Sequence, residues 1–241
     1  MAEPHRGAQR AGRGTDRLIL LAWSSGKDSA WALHTLRRQG LEIGALLTTL
    51  NEAADRVAMH GVRRSVLEAQ AEAVGLPLWQ VPLPWPCTNK DYEARMAAAC
   101  RRAVAEGFDA IAFGDLYLRD VRAYRERQLA GSGLTPLFPL WEMPTAELAR
   151  EMIRSGLRAR LSCVDSKAID PGFAGREFDE ALLADLPATA DPCGENGEFH
   201  TCVYDGPMFR HPIALQPGEI RNVNGFVYAD LVGAQCQESS R

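Results

Sequence analysis

The chain has six cysteines, at positions 87, 100, 163, 193, 202 and 236, and no C-x-x-C pair among them. That spacing speaks against zinc-ribbon and iron–sulfur sites, which are built on paired cysteines. A chain of 241 residues is also large enough to bury a substantial core without a disulfide framework. Cys193, His200 and Cys202 fall within ten positions and could contribute to a metal site, but they lack finger or ribbon spacing. No apolar run approaches the ~20 residues of a membrane-spanning helix. The basic opening has neither the apolar region nor the cleavage site of a signal peptide, so no membrane contact is expected and the expected compartment is the cytoplasm. Lys and Arg number 27 against 31 Asp and Glu, a net charge of −4, and no global field recruits nucleic acid. A G-x-G-x-x-G fingerprint is absent as well, which removes the dinucleotide-binding reading.

What is present begins at Ser24-Ser25-Gly26-Lys27-Asp28-Ser29. An apolar run, Leu18 to Trp23, precedes it, and Ala30 to Gln39 follows with apolar residues on one helical face, so the order is strand, tight turn, helix. The first N–H groups of a helix lack internal partners and carry the positive end of its dipole. Three hydroxyls, a glycine that admits close approach and the Lys27 cation complete a phosphate cradle. It is not a Walker A loop, because Leu21 and Asp28 stand where that motif needs Gly and Ser or Thr. The six residues resemble the PP-loop, S-[GS]-G-x-D-S, of the N-type ATP pyrophosphatases. That resemblance implies a loop holding pyrophosphate in an enzyme that cuts ATP between its α and β phosphates. A carboxylate inside an anion site calls for a cation, so Asp28 is assigned to Mg2+.

Along the chain, residues 1–15 read as a disordered tail, 16–141 as a PP-loop nucleotide-binding domain, and 142–241 as a smaller C-terminal substrate-binding region. The first helix stops near Gly40, and Leu41 to Leu50 reads as a buried parallel strand. Asn51 to His60 reads as a loop, Val62 to Val74 as a helix ended by Gly75, and Leu76 to Val81 as a strand. Thr88 caps a helix reaching about Glu106, and Asp109 to Phe113 is a fourth strand. Leu134 to Trp141 is expected as an edge strand, Thr145 as the cap of a helix to Arg154, and Leu157 to Val164 as a strand. Glu177 to Leu186 is expected as a helix, and Glu219 to Val223 with Phe226 to Leu231 as a hairpin around Asn224-Gly225. Alternating strands and helices make the fold class α/β, a doubly wound parallel sheet of PP-loop, HUP-like type with ligands at the strand carboxyl ends. Thr48, Met59, His60, Gly114 and Asp115 fall at those ends. Arg119, Arg122 and Arg125 share one face of the next helix, an ordinary solvated face or a contact for an anionic group.

The second informative stretch is Asp191-Pro192-Cys193-Gly194-Glu195-Asn196-Gly197-Glu198-Phe199-His200-Thr201. Its glycines, proline and Asn-Gly pair exclude regular structure, and loops crowded with polar groups bind more often than they pack. A G-E-N-G-E-F-H-T sequence downstream of the PP-loop resembles the diphthine-ammonia ligase family and its bacterial relatives, grouped as adenine nucleotide alpha hydrolase-like proteins. The resemblance extends from Leu18 to Pro212 and includes Gly114-Asp115, Tyr124-Arg125-Glu126, Gly175-Arg176-Glu177-Phe178 and Asp205-Gly206-Pro207. Ser25 departs from the commoner S-G-G.

Membership would imply an ATP- and Mg2+-dependent ligase that adenylates an acceptor carboxylate, on a protein or a small molecule, and then amidates it with ammonia or another amine. Ser24 to Ser29 would hold the phosphates, with Lys27 and the loop amides stabilising the departing pyrophosphate. Glu195, Asn196, Gly197, Glu198, His200 and Thr201 would hold the acceptor or the amine, Glu195 and Glu198 being the candidate bases. Adenylation of an RNA or another small molecule is one alternative, and a non-catalytic ATP or AMP sensor another. A homodimer is compatible with each.

Overall fold

The computed structural model describes residues 17–233; the expected tail, residues 1–15, and Cys236 lie outside them. Five strands form a parallel sheet: β1 (Leu18–Ala22), β2 (Glu42–Asn51), β4 (Leu78–Leu83), β5 (Ala110–Ala112) and β6 (Thr135–Leu137). Their spatial order is β4-β2-β1-β5-β6. A two-residue strand, β3 (Arg56–Val57), pairs antiparallel with the end of β2. Between the strands run α1 (Lys27–Arg38), α2 (Arg64–Val74), α3 (Asn89–Ala105) and α4 (Arg119–Leu129). The winding reverses between β1, which leads to β2 on one side, and β5 on the other. In an open α/β sheet the ligand crevice lies outside the strand carboxyl ends at this reversal.

The sheet is buried on both faces, and its strands accordingly read as apolar runs rather than alternations. Along β1, Ile19 and Leu21 join the core under α1 and α2, while Leu20 joins the one under α3 and α4. The first of these cores continues into the C-terminal region. There α5 (Thr145–Arg154) and α6 (Glu180–Asp185) accompany β7 (Arg158–Asp165), β8 (Phe199–Asp205), β9 (Leu215–Val223) and β10 (Phe226–Gly233). The four strands form a second, antiparallel sheet in the order β8-β7-β10-β9. Leu161, Val203 and Leu231 from this sheet share one cluster with Ile19 and Leu33.

Several expectations are corrected locally. The segment 51–60 is not all loop, since β3 sits inside it. The strand expected over 134–141 is only Thr135–Leu137; beyond it the chain turns, with Trp141 N–H donating to the Phe138 carbonyl and Pro139 offering no ladder donor. Thr145 does not cap α5. It is the first helical residue after Pro144, and its hydroxyl donates to Asp191 Oδ2 at 2.6 Å. The acidic helix is shortened to Glu180–Asp185 because Asp179 caps it, accepting from Leu182 N–H at 2.8 Å. The 191–201 stretch is not wholly irregular either, because β8 starts at Phe199. The reciprocal cap of α3 by Thr88 and Asp91 is present, as is the hairpin turn at Asn224-Gly225.

Candidate active site

A cleft of about 560 Å³ opens at the reversal point, bounded by the PP-loop, the ends of β2 and β5, the first turns of α3 and α4, and the 194–201 segment. That volume is ordinary for a small-molecule site. The PP-loop turns sharply out of β1, with Ser25 at φ 70°, and Gly26 leads into α1 with no capping side chain of its own. The cap comes from the other sheet: Thr201 Oγ1 accepts from Lys27 N–H at 3.0 Å. Val203 N–H then donates to the Ser25 carbonyl at 2.9 Å. A side chain at position 26 would meet His60 Cε1 at 3.0 Å and the Thr201 carbonyl at 3.3 Å, so the glycine admits β8 and His60. Gly114 has a similar reason: a Cβ there would lie 2.8–3.0 Å from the Asp28 and Ser29 backbone, so β5 can end directly against the start of α1.

Ser24, Lys27, Asp28 and Ser29 line the cleft, with the Ser24 and Ser29 hydroxyls 3.2 Å apart. The Lys27 side chain is 2% exposed. Its ammonium donates to both Asp28 oxygens at 3.0 and 2.9 Å and to the Cys193 carbonyl. Burial opposes the Lys27 charge, but Asp28 above all outweighs it and holds the pKa above the ordinary lysine value. Burial raises the Asp28 carboxyl; Lys27 works against the rise and Asp191 adds to it.

Across the cleft the two glutamates serve differently. Glu195 lines the wall, and its Oε1 accepts from Leu116 and Tyr117 N–H at 2.9 and 3.3 Å. Burial raises its pKa; the Leu116 N–H offsets part of this, and Asp28 adds to it. Glu198 is 5% exposed and faces the interior of its own loop. Its oxygens accept from Asp191 N–H at 2.8 Å, Asn196 N–H at 3.0 Å and Asn196 Nδ2 at 3.1 Å. Asn196 Oδ1 in turn accepts from the Tyr117 hydroxyl, and Gly197 reaches the cleft wall.

His60 and His200 stack beside the PP-loop with ring centroids 4.5 Å apart. Burial, then His200, drives the His60 pKa well below the usual imidazole value, and burial with Lys27 pushes His200 down to about 4. Both rings are therefore neutral near pH 7. Met59 stands on the rim, 71% exposed. The Thr48 hydroxyl donates to the Trp23 carbonyl at 2.7 Å, and Asp115 is held by Arg125 Nε at 2.7 Å. Of the α4 arginine face, Arg125 enters the cleft wall, Arg122 stacks over Phe138 and Trp141, and Arg119 is 87% exposed. Cys193 donates to the Thr145 carbonyl, and among the described residues no group of three His, Cys, Asp or Glu is placed to hold a metal.

Gln70 belongs to no motif that the sequence displays. It is fully buried, accepts from Trp23 Nε1 at 2.9 Å, and donates to the Ser25 and Val203 carbonyls at 3.1 and 2.6 Å. Its signal was available, because it falls on the buried face of α2 with Val66, Leu67, Ala73 and Val74, where a polar residue needs partners. The apolar end of the cleft also brings in Trp23, Tyr92, Met96 and Val121. Tyr92 and Met96 lie on α3, whose buried residues are only Cys100 and Ala103, so no apolar stripe drew attention to them.

Comparisons with known proteins show the family. A family model described as the diphthamide synthase N-terminal domain matches residues 17–136, and its C-terminal counterpart matches 144–231. A diphthine–ammonia ligase of Schizosaccharomyces pombe is 27% identical over 216 residues, covering 82% of this chain and 36% of that protein. The chain thus spans only about a third of the yeast relative. The Homo sapiens diphthine–ammonia ligase is 25% identical over 219 residues, with 82% of each chain covered. The Danio rerio protein of the same name is 28% identical, with 81% of this chain and 85% of that protein covered.

Proposed function

From the premise that the chain belongs to the diphthine–ammonia ligase family, we propose that it is an ATP-dependent, amide-forming ligase acting in the cytoplasm. In the first step an acceptor carboxylate oxygen attacks the α phosphorus of ATP and the bond to pyrophosphate breaks. In the second, ammonia attacks the acyl carbon of the resulting acyl-adenylate, AMP leaves, and one proton passes to a base. The observation that carries this reading is the opposition, across one cleft, of the PP-loop groups Ser24, Asp28 and Ser29 and the carboxylate of Glu195.

Helix α1 ends its N-terminal dipole at the PP-loop, so the loop can take the phosphates. The apolar end, with Trp23, Phe113 and Met96, suits an adenine ring. Burial raises both the Asp28 and the Glu195 carboxyls, and Asp28 adds to the Glu195 shift; two carboxylates facing one cleft suit a hard divalent cation. Mg2+ would be held by Asp28 and, when bound, offsets phosphate charge. Glu195 is the better base of the two glutamates. It faces the cleft, only its Oε1 carries hydrogen bonds among the described residues, and its raised pKa makes it a stronger proton acceptor. The neutral His60 and His200 add no positive charge that would repel ammonium from this wall.

The test is product identity. The chain is incubated with ATP, Mg2+, ammonium and an extract of the source cell, and the nucleotides are resolved for wild type and Asp28→Ala. AMP and pyrophosphate that appear only with extract and vanish in the variant are expected. ADP and phosphate would overturn the reading. ATP binding with no AMP, after fractions of the extract have each been supplied, would assign the chain as a nucleotide sensor instead.

A further inference from the structure

Lys27 is the cation that a phosphate-binding loop calls for, yet three of its four partners come from the C-terminal region. Its ammonium donates to the Cys193 carbonyl and lies 5.6 and 5.5 Å from the ring centres of Phe178 and Phe199. Only Asp28 belongs to its own loop. Lys27 borders the cleft, but an ammonium has three donors, and the observed contacts direct them at one carboxylate and one carbonyl beside two aromatic faces. Cys193 is itself fixed, its N–H donating to Asp191 Oδ1 at 2.8 Å and its thiol to the Thr145 carbonyl at 3.4 Å. Two residues on is Glu195, whose N–H donates to the same Asp191 oxygen at 3.3 Å.

We propose that Lys27 is a positioning residue that couples the PP-loop carboxylate Asp28 to the loop carrying Glu195, and that it is not a ligand of the phosphates. This rests on the reading of Asp28 as the residue that faces ATP and Mg2+. A divalent cation at Asp28 competes with the ammonium for the same oxygens and repels it. The Lys27 charge then bears more heavily on Cys193 and the aromatic pair, and the 193–198 segment registers that the nucleotide has arrived.

The test is hydrogen exchange across residues 193–198 of the full chain, free, with ATP in EDTA, and with ATP and Mg2+, alongside the dissociation constant for ATP with Mg2+. In the wild type, ATP with Mg2+ is expected to change protection of this segment by about fivefold or more, and ATP without metal by less. Lys27→Met, close in shape, is expected to bind ATP with Mg2+ within about threefold of wild type while the loop response disappears. A folded Lys27→Met protein that binds about a hundredfold more weakly would make Lys27 a phosphate ligand and overturn the proposal. So would a loop response that persists in the variant, or its absence in the wild type. If Lys27→Met does not fold, Phe178→Leu removes one aromatic face and keeps the ammonium. About half the loop response should then remain, and an undiminished response overturns the coupling. Failure of the coupling with AMP formation intact leaves the ligase reading standing, whereas a wild-type chain that does not bind ATP with Mg2+ overturns both.

Discussion

The two loops that face each other across the cleft use their polar residues in opposite ways. In the PP-loop, Ser24, Asp28 and Ser29 reach the cleft, and the loop is held from outside by Thr201, Val203 and Gln70. The 191–198 loop is held from within. Glu198 and Asp191 accept from the loop's own N–H groups, and Glu195 is the carboxylate it presents at the wall. The number of carboxylates in a loop is therefore no measure of how many are available for chemistry. An acid-rich turn needs acceptors for its own backbone first.

The contrast between the two glutamates is the sharpest way to break this comparison. Glu198→Ala leaves the Asp191 and Asn196 N–H groups without their acceptor, and an orphaned buried donor costs about 1–3 kcal/mol. We expect a loss of about 3–4 kcal/mol in urea unfolding. Glu195→Gln keeps the shape and one acceptor oxygen. It should change stability by less than about 1 kcal/mol while lowering AMP formation by about a hundredfold, the size expected for a lost general base. Equal stability losses in the two variants would dissolve the distinction.

Acid sharpens the same comparison from the other side. The His200 pKa lies at about 4 in the folded chain, against about 6.5 unfolded. Between those values the unfolded chain binds a proton that the folded one refuses, so stability is level above pH 6.5 and falls as pH drops through the window. His200 alone accounts for about 3 kcal/mol by pH 4. Asp28 and Glu195 act in the opposite sense, because carboxyls raised by folding gain stability as pH falls. The difference between wild type and His200→Asn isolates the imidazole. The variant's urea midpoint should decline less steeply between pH 6.5 and 4, and parallel profiles would remove His200 from the acid response.

Gln70→Leu tests the outside anchoring of the PP-loop. It strands Trp23 Nε1 and leaves the Val203 carbonyl with the distant Cys202 thiol, 3.9 Å away, while the Ser25 carbonyl keeps Val203 N–H. About 2 kcal/mol should be lost on unfolding, and a neutral result would show that the loop is held by β8 alone. Gln70 also marks the limit of what the sequence disclosed. The parallel sheet was readable because strands such as Leu18–Ala22 are short apolar runs followed by a helix with a glycine stop, although β4 is shifted from the expected Leu76–Val81 to Leu78–Leu83 and runs through Pro82. The PP-loop was readable because an anion cradle is local, six residues at one strand–helix junction. Its supports are not local: Thr201 lies 174 positions from Lys27, and Val203 lies 133 from Gln70. Nothing in G-E-N-G-E distinguishes the glutamate that turns inward from the one that faces the cleft. β8 was obscured for a related reason, since it starts inside the motif whose glycines announced a loop.

The smallest effect concerns Ser25. It has φ 70°, is fully buried, and its hydroxyl has no partner among the described residues. A left-handed backbone costs a residue with a Cβ about 1–2 kcal/mol, and an unpaired buried hydroxyl adds to that. Glycine removes both penalties, at an entropic cost of up to about 1 kcal/mol from the more flexible unfolded chain. Ser25→Gly should therefore stabilise by about 1 kcal/mol, read as a rise in the urea midpoint at unchanged slope. The bonds that anchor the loop here use the Ser25 carbonyl, which accepts from Val203 and Gln70, and glycine keeps that carbonyl. AMP formation should consequently stay within about twofold of wild type, less than 0.5 kcal/mol in the barrier. A tenfold loss would mean that the hydroxyl turns toward the phosphates when they bind, and the PP-loop would then have an inward-held group of its own, as the opposite loop has in Glu198.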